Sequence, residues 1–167
     1  FLPAIEAGIR CGAILTTHEY AAPTMYLWWA QGLPESYDHP PVPAYPDRGP
    51  LIGRYRFLYR DILIPRGLAI PLVISEAGID GGAGAGQRPG YGGQGWLGFR
   101  EYWSNELGIA DPVEFYVQQL AWYDSLLRQD SYVIGATIFN ISGGSSWETF
   151  EASSIVPRLT EYARGLR

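Results

Sequence analysis

The chain has 167 residues, a formal net charge of −5, 47% hydrophobic residues and 17% charged ones, the composition of a globular protein. Its twelve basic residues are all arginines, scattered without a stripe, which excludes nucleic-acid binding by phosphate neutralisation. The absence of lysine excludes Schiff-base chemistry and a P-loop, and no apolar run approaches the roughly 18 residues of a membrane span. One cysteine, Cys11, and two histidines, His18 and His39, allow neither an internal disulfide nor a three-histidine zinc site, so no metal or other cofactor is expected. Cys11 reads as a packing residue between Ile9 and Ala13. No basic region precedes an apolar stretch at the N-terminus, so no leader peptide is visible in these residues, and one further upstream stays open.

Residues 1–10 read as the end of a helix, and Gly12 to Tyr20 as a short buried strand running out into polar residues. From Ala21 to Pro50 the chain is rich in Pro, Tyr and Trp without periodicity, a long loop of the kind that carries function. Leu51 to Arg66 has helical spacing, with Ile52, Tyr55, Tyr59, Ile62 and Leu63 on one side and Arg54, Arg56, Arg60 and Asp61 on the other; Gly67 stops it. Leu68 to Ile74 reads as a second buried strand ending in Ser75 and Glu76. The stretch Gly81 to Gly98 suits a surface loop, and its GAGAG run lacks both the spacing and the helix of a nucleotide fingerprint.

Asp111-Pro112 is a helix start, an N-cap followed by proline at the first helical position, and helical spacing continues to Leu127. Tyr132 to Ile141 is a third buried strand, followed by a polar, glycine-rich segment and a last helix from about Ser153 to Leu166. Helices and strands alternate without a hairpin signal, which implies a single domain over residues 1–167 with a parallel sheet covered by helices. Periodicity alone leaves a doubly wound sheet and a barrel both open.

Parallel α/β folds place their sites at the C-terminal ends of the strands. The polar residues there are His18, Glu19 and Tyr20, then Ser75 and Glu76, then Asn140 and Ser142. An H-x-Y tripeptide at one strand end, a glutamate ending the next in VISEAGID, and a Trp beyond the third resemble strands six to eight of the (β/α)8-barrel retaining glycoside hydrolases that include cellulases and β-galactosidases. The resemblance implies a glycosidase acting on a β-linked glycan or glycoside. It makes Glu76 the catalytic nucleophile, Tyr20 its hydrogen-bond donor, and His18 a residue lining the site. Trp147 is the nearest match to the ring that floors the sugar, while Trp28, Trp29, Trp96 and Trp103 are further candidates for stacking on substrate.

Alternation along the strand agrees with this, since His18 and Tyr20 share a face and Glu19 points away, towards solvent or a supporting contact. One departure is clear. A complete barrel needs about 250 residues, and retention needs a second carboxyl group about 5 to 5.5 Å from the first. The family's Asn-Glu pair on strand four has only Asn105-Glu106 to match it here, after the seventh strand. The chain then reads as the C-terminal part of a barrel whose N-terminal half, with the acid/base, is missing. Glu19 or Glu101 is the alternative acid/base. Two further functions remain open: a non-catalytic carbohydrate-binding barrel, and an unrelated barrel hydrolase or lyase using Glu76 as a base.

Overall fold

A computed structural model describes residues 1–35, 40–82, 93–141 and 144–166. His39, Ser142 and most of the GAGAG stretch, singled out above, lie outside the described residues. Three strands, β1 (Leu15–Ala21), β2 (Leu72–Ile79) and β3 (Val133–Ile138), form one parallel sheet in the order β1-β2-β3. Parallel neighbours need crossover connections, and helices supply much of the intervening chain. α1 (Leu2–Arg10) precedes β1; α2 (Leu27–Gln31) and α3 (Tyr55–Leu58) lie between β1 and β2. α4 (Arg100–Leu107) and α5 (Pro112–Leu127) lead to β3, with α6 (Gly144–Trp147) and α7 (Val156–Gly165) after it. The sheet and its crossovers are as the alternation of elements implies; the outer edges of β1 and β3 have no partner strand among the described residues.

The second strand is longer than expected. β2 runs through Glu76 to Ile79, so Glu76 is inside the ladder and not at its end. Ala77 and Ile79 are buried and supply the apolar side chains that hold the extra turn of strand against the helices. The cysteine expectation is also corrected, since Cys11 is exposed just past α1 and is not a core residue.

α3 is the start of a longer helical segment that widens into a π turn over Tyr59–Leu63 and tightens to a 3-10 turn over Ile64–Arg66. The change of pitch keeps Tyr55, Tyr59 and Leu63 buried but leaves Ile62 exposed. Arg56, placed by spacing on the solvent side, is instead buried. Its guanidinium donates to Asp130 Oδ2 at 2.6 Å, to the Leu126 carbonyl and to the Asp47 carbonyl, which satisfies a charge that would otherwise be costly to bury. α5 begins as expected, with Asp111 Oδ1 accepting from the N–H groups of Val113 and Glu114. Its inner side, Tyr116, Val117, Leu120, Tyr123 and Leu127, packs into the core with Leu72, Ile74 and Ala77 of β2.

The stretch expected as a loop up to Gly98 ends in helix. A 3-10 turn over Trp96–Phe99 leads directly into α4, because Trp96, Phe99 and Trp103 provide an apolar side that packs onto α5.

Candidate active site

One face of the sheet is packed by helices and the other carries the polar residues. On β1, Glu19 and Ala21 are buried, while Thr16 and His18 are exposed and Tyr20 is half-buried. On β2, simple alternation from Leu72 and Ile74 would turn Glu76 towards the core. The register prevents this. Thr17 faces Ile74 and the next residue, His18, faces Glu76, so Ser75 is the extra residue of a bulge. Beyond it Tyr20 faces Gly78, and Ala77 and Ile79 return to the core. The carbonyl of Ser75 accepts a hydrogen bond from Thr137 Oγ1 of β3 at 2.5 Å, which pins the bulge from the third strand.

The bulge brings Glu76 onto the face of His18 and Tyr20. Tyr20 donates its hydroxyl to Glu76 Oε2 at 2.7 Å, and His18 Nδ1 lies 3.3 Å from the same oxygen. Among the described residues Glu76 Oε1 has no hydrogen-bond partner. Burial, the hydrogen bond to Glu76 and the charges of Glu76 and Asp80 push the Tyr20 hydroxyl well above the ordinary tyrosine range. Tyr20 therefore keeps its proton and remains the donor. Glu76 is about one-third exposed, open to a ligand on this face.

The aromatic expectations divide. Trp147 is 48% exposed on α6, with its ring edge-on to Phe139 at 5.3 Å, and Phe139 in turn meets Tyr20 edge-on at 6.5 Å. Phe139, which sequence reasoning missed, is therefore the ring that links Trp147 to the Tyr20–Glu76 pair. Trp96 is 1% exposed, and its expected role on substrate is corrected. It stacks on Tyr116 at 4.9 Å and donates its indole N–H to the Glu151 carbonyl, holding the loop after β3 against α5. Trp103 is likewise core, bonded to the Pro23 carbonyl. Trp28 and Trp29 are half-buried; Trp28 donates to the Ala22 carbonyl and Trp29 meets Trp122 of α5 edge-on.

Neither alternative acid/base joins the site. Glu19 is 0% exposed on the opposite face, where its carboxylate accepts from the N–H groups of Gly53 and Tyr55 and from the Tyr123 hydroxyl. It anchors the approach to α3 and does not point to solvent. Glu101 is exposed on α4 and makes no hydrogen bond or ion pair with Glu76 among the described residues. The described residues contain no group of three potential metal ligands, and no helix among them is long and apolar enough to cross a membrane. No protein-family model, characterised protein or solved structure matches this chain.

Proposed function

We propose that the chain is the C-terminal portion of a (β/α)8-barrel retaining glycoside hydrolase acting on β-linked sugars, with β1, β2 and β3 as strands six to eight and Glu76 as nucleophile. The observation that carries this reading is the convergence of Tyr20 and His18 on one oxygen of a carboxylate at the open face of a parallel sheet. In the reaction, Glu76 attacks the anomeric carbon as the glycosidic C–O bond breaks, and a second carboxyl group gives its proton to the departing oxygen. Water then displaces Glu76 from the sugar, with its proton returning to that second group. The second carboxyl is assigned to a part of a longer protein preceding Phe1, whose strands would pair with the two free edges of the sheet. Phe139 and Trp147 would flank the sugar.

The test is Glu76→Gln in the full-length protein, which preserves shape and the Tyr20 contact while removing the attacking charge. Turnover of aryl β-glycosides should fall by about 10³-fold or more, and a 2-fluoro glycoside should label the wild-type peptide that contains Glu76. Full activity in the variant rejects the assignment. Sugar binding that Glu76→Gln leaves intact in a protein with no turnover would mark a carbohydrate-binding barrel.

A further inference from the structure

The end of β1 is gripped by a turn just before α3. Gly53 has φ +72°, in the left-handed region, and Arg54 follows in right-handed helical conformation at φ −67° and ψ −23°. That succession aims backbone N–H groups at one point, a concavity suited to an anion. Its occupant is the buried carboxylate of Glu19. Oε2 accepts from the Gly53 N–H at 2.8 Å and from the Tyr123 hydroxyl at 2.9 Å, and Oε1 accepts from the Tyr55 N–H at 3.1 Å. Glycine is required at position 53, because a Cβ there would lie 2.7 Å from Cζ3 of Trp29.

The same turn holds β1 from a second side. Leu15 gives its N–H to the Pro71 carbonyl and Ala21 accepts from the Asp80 N–H, so both residues turn their backbone towards β2. His18, an odd number of residues from each, turns its carbonyl to the outer edge of the strand. There Nη2 of Arg54 donates to it at 3.1 Å. No strand covers that edge among the described residues, and a strand that paired with it in a complete barrel would end before the His18 carbonyl, which Arg54 occupies. The two residues flanking Glu19 are His18 and Tyr20, the pair directed at Oε2 of Glu76.

We propose that Arg54 is a positioning residue for the Glu76 carboxylate: it fixes the β1 backbone at His18 and so the places of the two side chains that orient Oε2. The proposal rests on the glycosidase reading. Glu19 is held through its side chain from the core and His18 through its carbonyl from the edge, so rotation of this segment about the strand axis is opposed from two directions. A hydrogen bond weakens steeply with misalignment, and a small rotation of β1 is enough to release Oε2. Arg54 is itself exposed, so its loss removes the grip without opening the core.

The experiment compares Arg54→Met and Arg54→Lys in the full-length protein. Methionine keeps much of the stem and loses the donor, whereas lysine can still donate to a single carbonyl. With aryl β-glycosides, kcat and kcat/KM of Arg54→Met should fall together by about 3- to 10-fold, Arg54→Lys should stay within about twofold of wild type, and the thermal unfolding temperature should hardly move. In a His18→Ala/Tyr20→Phe background, which lacks both contacts to Glu76, Arg54→Met should have no further effect. An unchanged rate in Arg54→Met, or an equal fall in both backgrounds, overturns the proposal. The imidazole nitrogen resonances of His18 give a readout that needs no turnover: they should shift in Arg54→Met and return in Arg54→Lys, and identical resonances in all three proteins also overturn it. Failure of the glycosidase reading shows separately, as turnover that survives Glu76→Gln.

Discussion

His18 faces Glu76 across the β1–β2 ladder only because Ser75 is bulged out of register. In an unbroken ladder Ser75 would stand opposite His18, and Glu76 would point with Leu72 and Ile74 into the core, where an unpaired carboxylate is strongly unfavourable. The irregularity converts an apolar strand into one that presents an acid.

On the proposed glycosidase reading, Tyr20→Phe should lower kcat/KM of the full-length protein on aryl β-glycosides by about 10- to 100-fold, the worth of a hydrogen bond to a charged group. The ring keeps its edge contact with Phe139, so the thermal unfolding temperature should hardly move. An undiminished rate would detach Tyr20 from the chemistry.

The buried Glu19 makes a pH prediction. Burial pushes its pKa above the ordinary 4.5, against the opposing donors Gly53, Tyr55 and Tyr123. A raised folded-state pKa means that the folded protein holds the proton more tightly than the unfolded one. The resulting stabilisation is complete below 4.5 and is lost as pH rises through the folded value. Wild type should therefore lose stability relative to Glu19→Gln in urea titrations as pH rises above 4.5. A constant difference would show that Glu19 does not titrate with folding.

Asp130 behaves in the opposite sense. Burial alone would raise its pKa, but the hydrogen bonds from Tyr55, Arg56 and Arg60 outweigh burial and hold it below the ordinary 3.8. Its stabilisation is present above that value and is lost as pH falls through the folded one. Asp130→Asn leaves the buried Arg56 without its counter-charge and should cost about 3–5 kcal/mol at neutral pH. Urea midpoints of the two proteins should converge in acid.

Gly78→Ala should destabilise by roughly 1–3 kcal/mol, because alanine is disfavoured at φ +151° and its Cβ meets the Tyr116 hydroxyl. Adding Tyr116→Phe removes that oxygen. In a double-mutant cycle the pair should cost less than the sum of the single changes; strict additivity would place the strain in the backbone alone.

The parallel order of the strands was legible because Leu68 to Ile74 and Tyr132 to Ile141 are apolar runs separated by helical spacing. The closeness of Tyr20 and Glu76 was legible too, since neighbouring parallel strand ends bring such residues together. The route to it was not. A bulge depends on the partner strand and on Thr137 reaching the Ser75 carbonyl, a contact between residues distant in sequence. The tryptophans show the same limit. Trp96 and Trp147 both follow glycine-rich stretches, and only α5 and the Glu151 carbonyl decide that one is buried while the other is exposed. Arg56 read as a surface charge, and Glu19 was left between solvent and a supporting contact, because their partners, Asp130 and Tyr123, come from distant parts of the chain.

A free carboxylate is a symmetrical group, its two oxygens exchanged by a half-turn about the last side-chain bond. With Tyr20 and His18 both directed at Oε2 of Glu76, that exchange would break two contacts at once, and the symmetry is lost before any ligand arrives. One oxygen is held, and the other has no partner among the described residues. On the proposed reading, the direction from which the anomeric carbon approaches Glu76 is thus set by the spacing of two residues on β1, not by the shape of what binds.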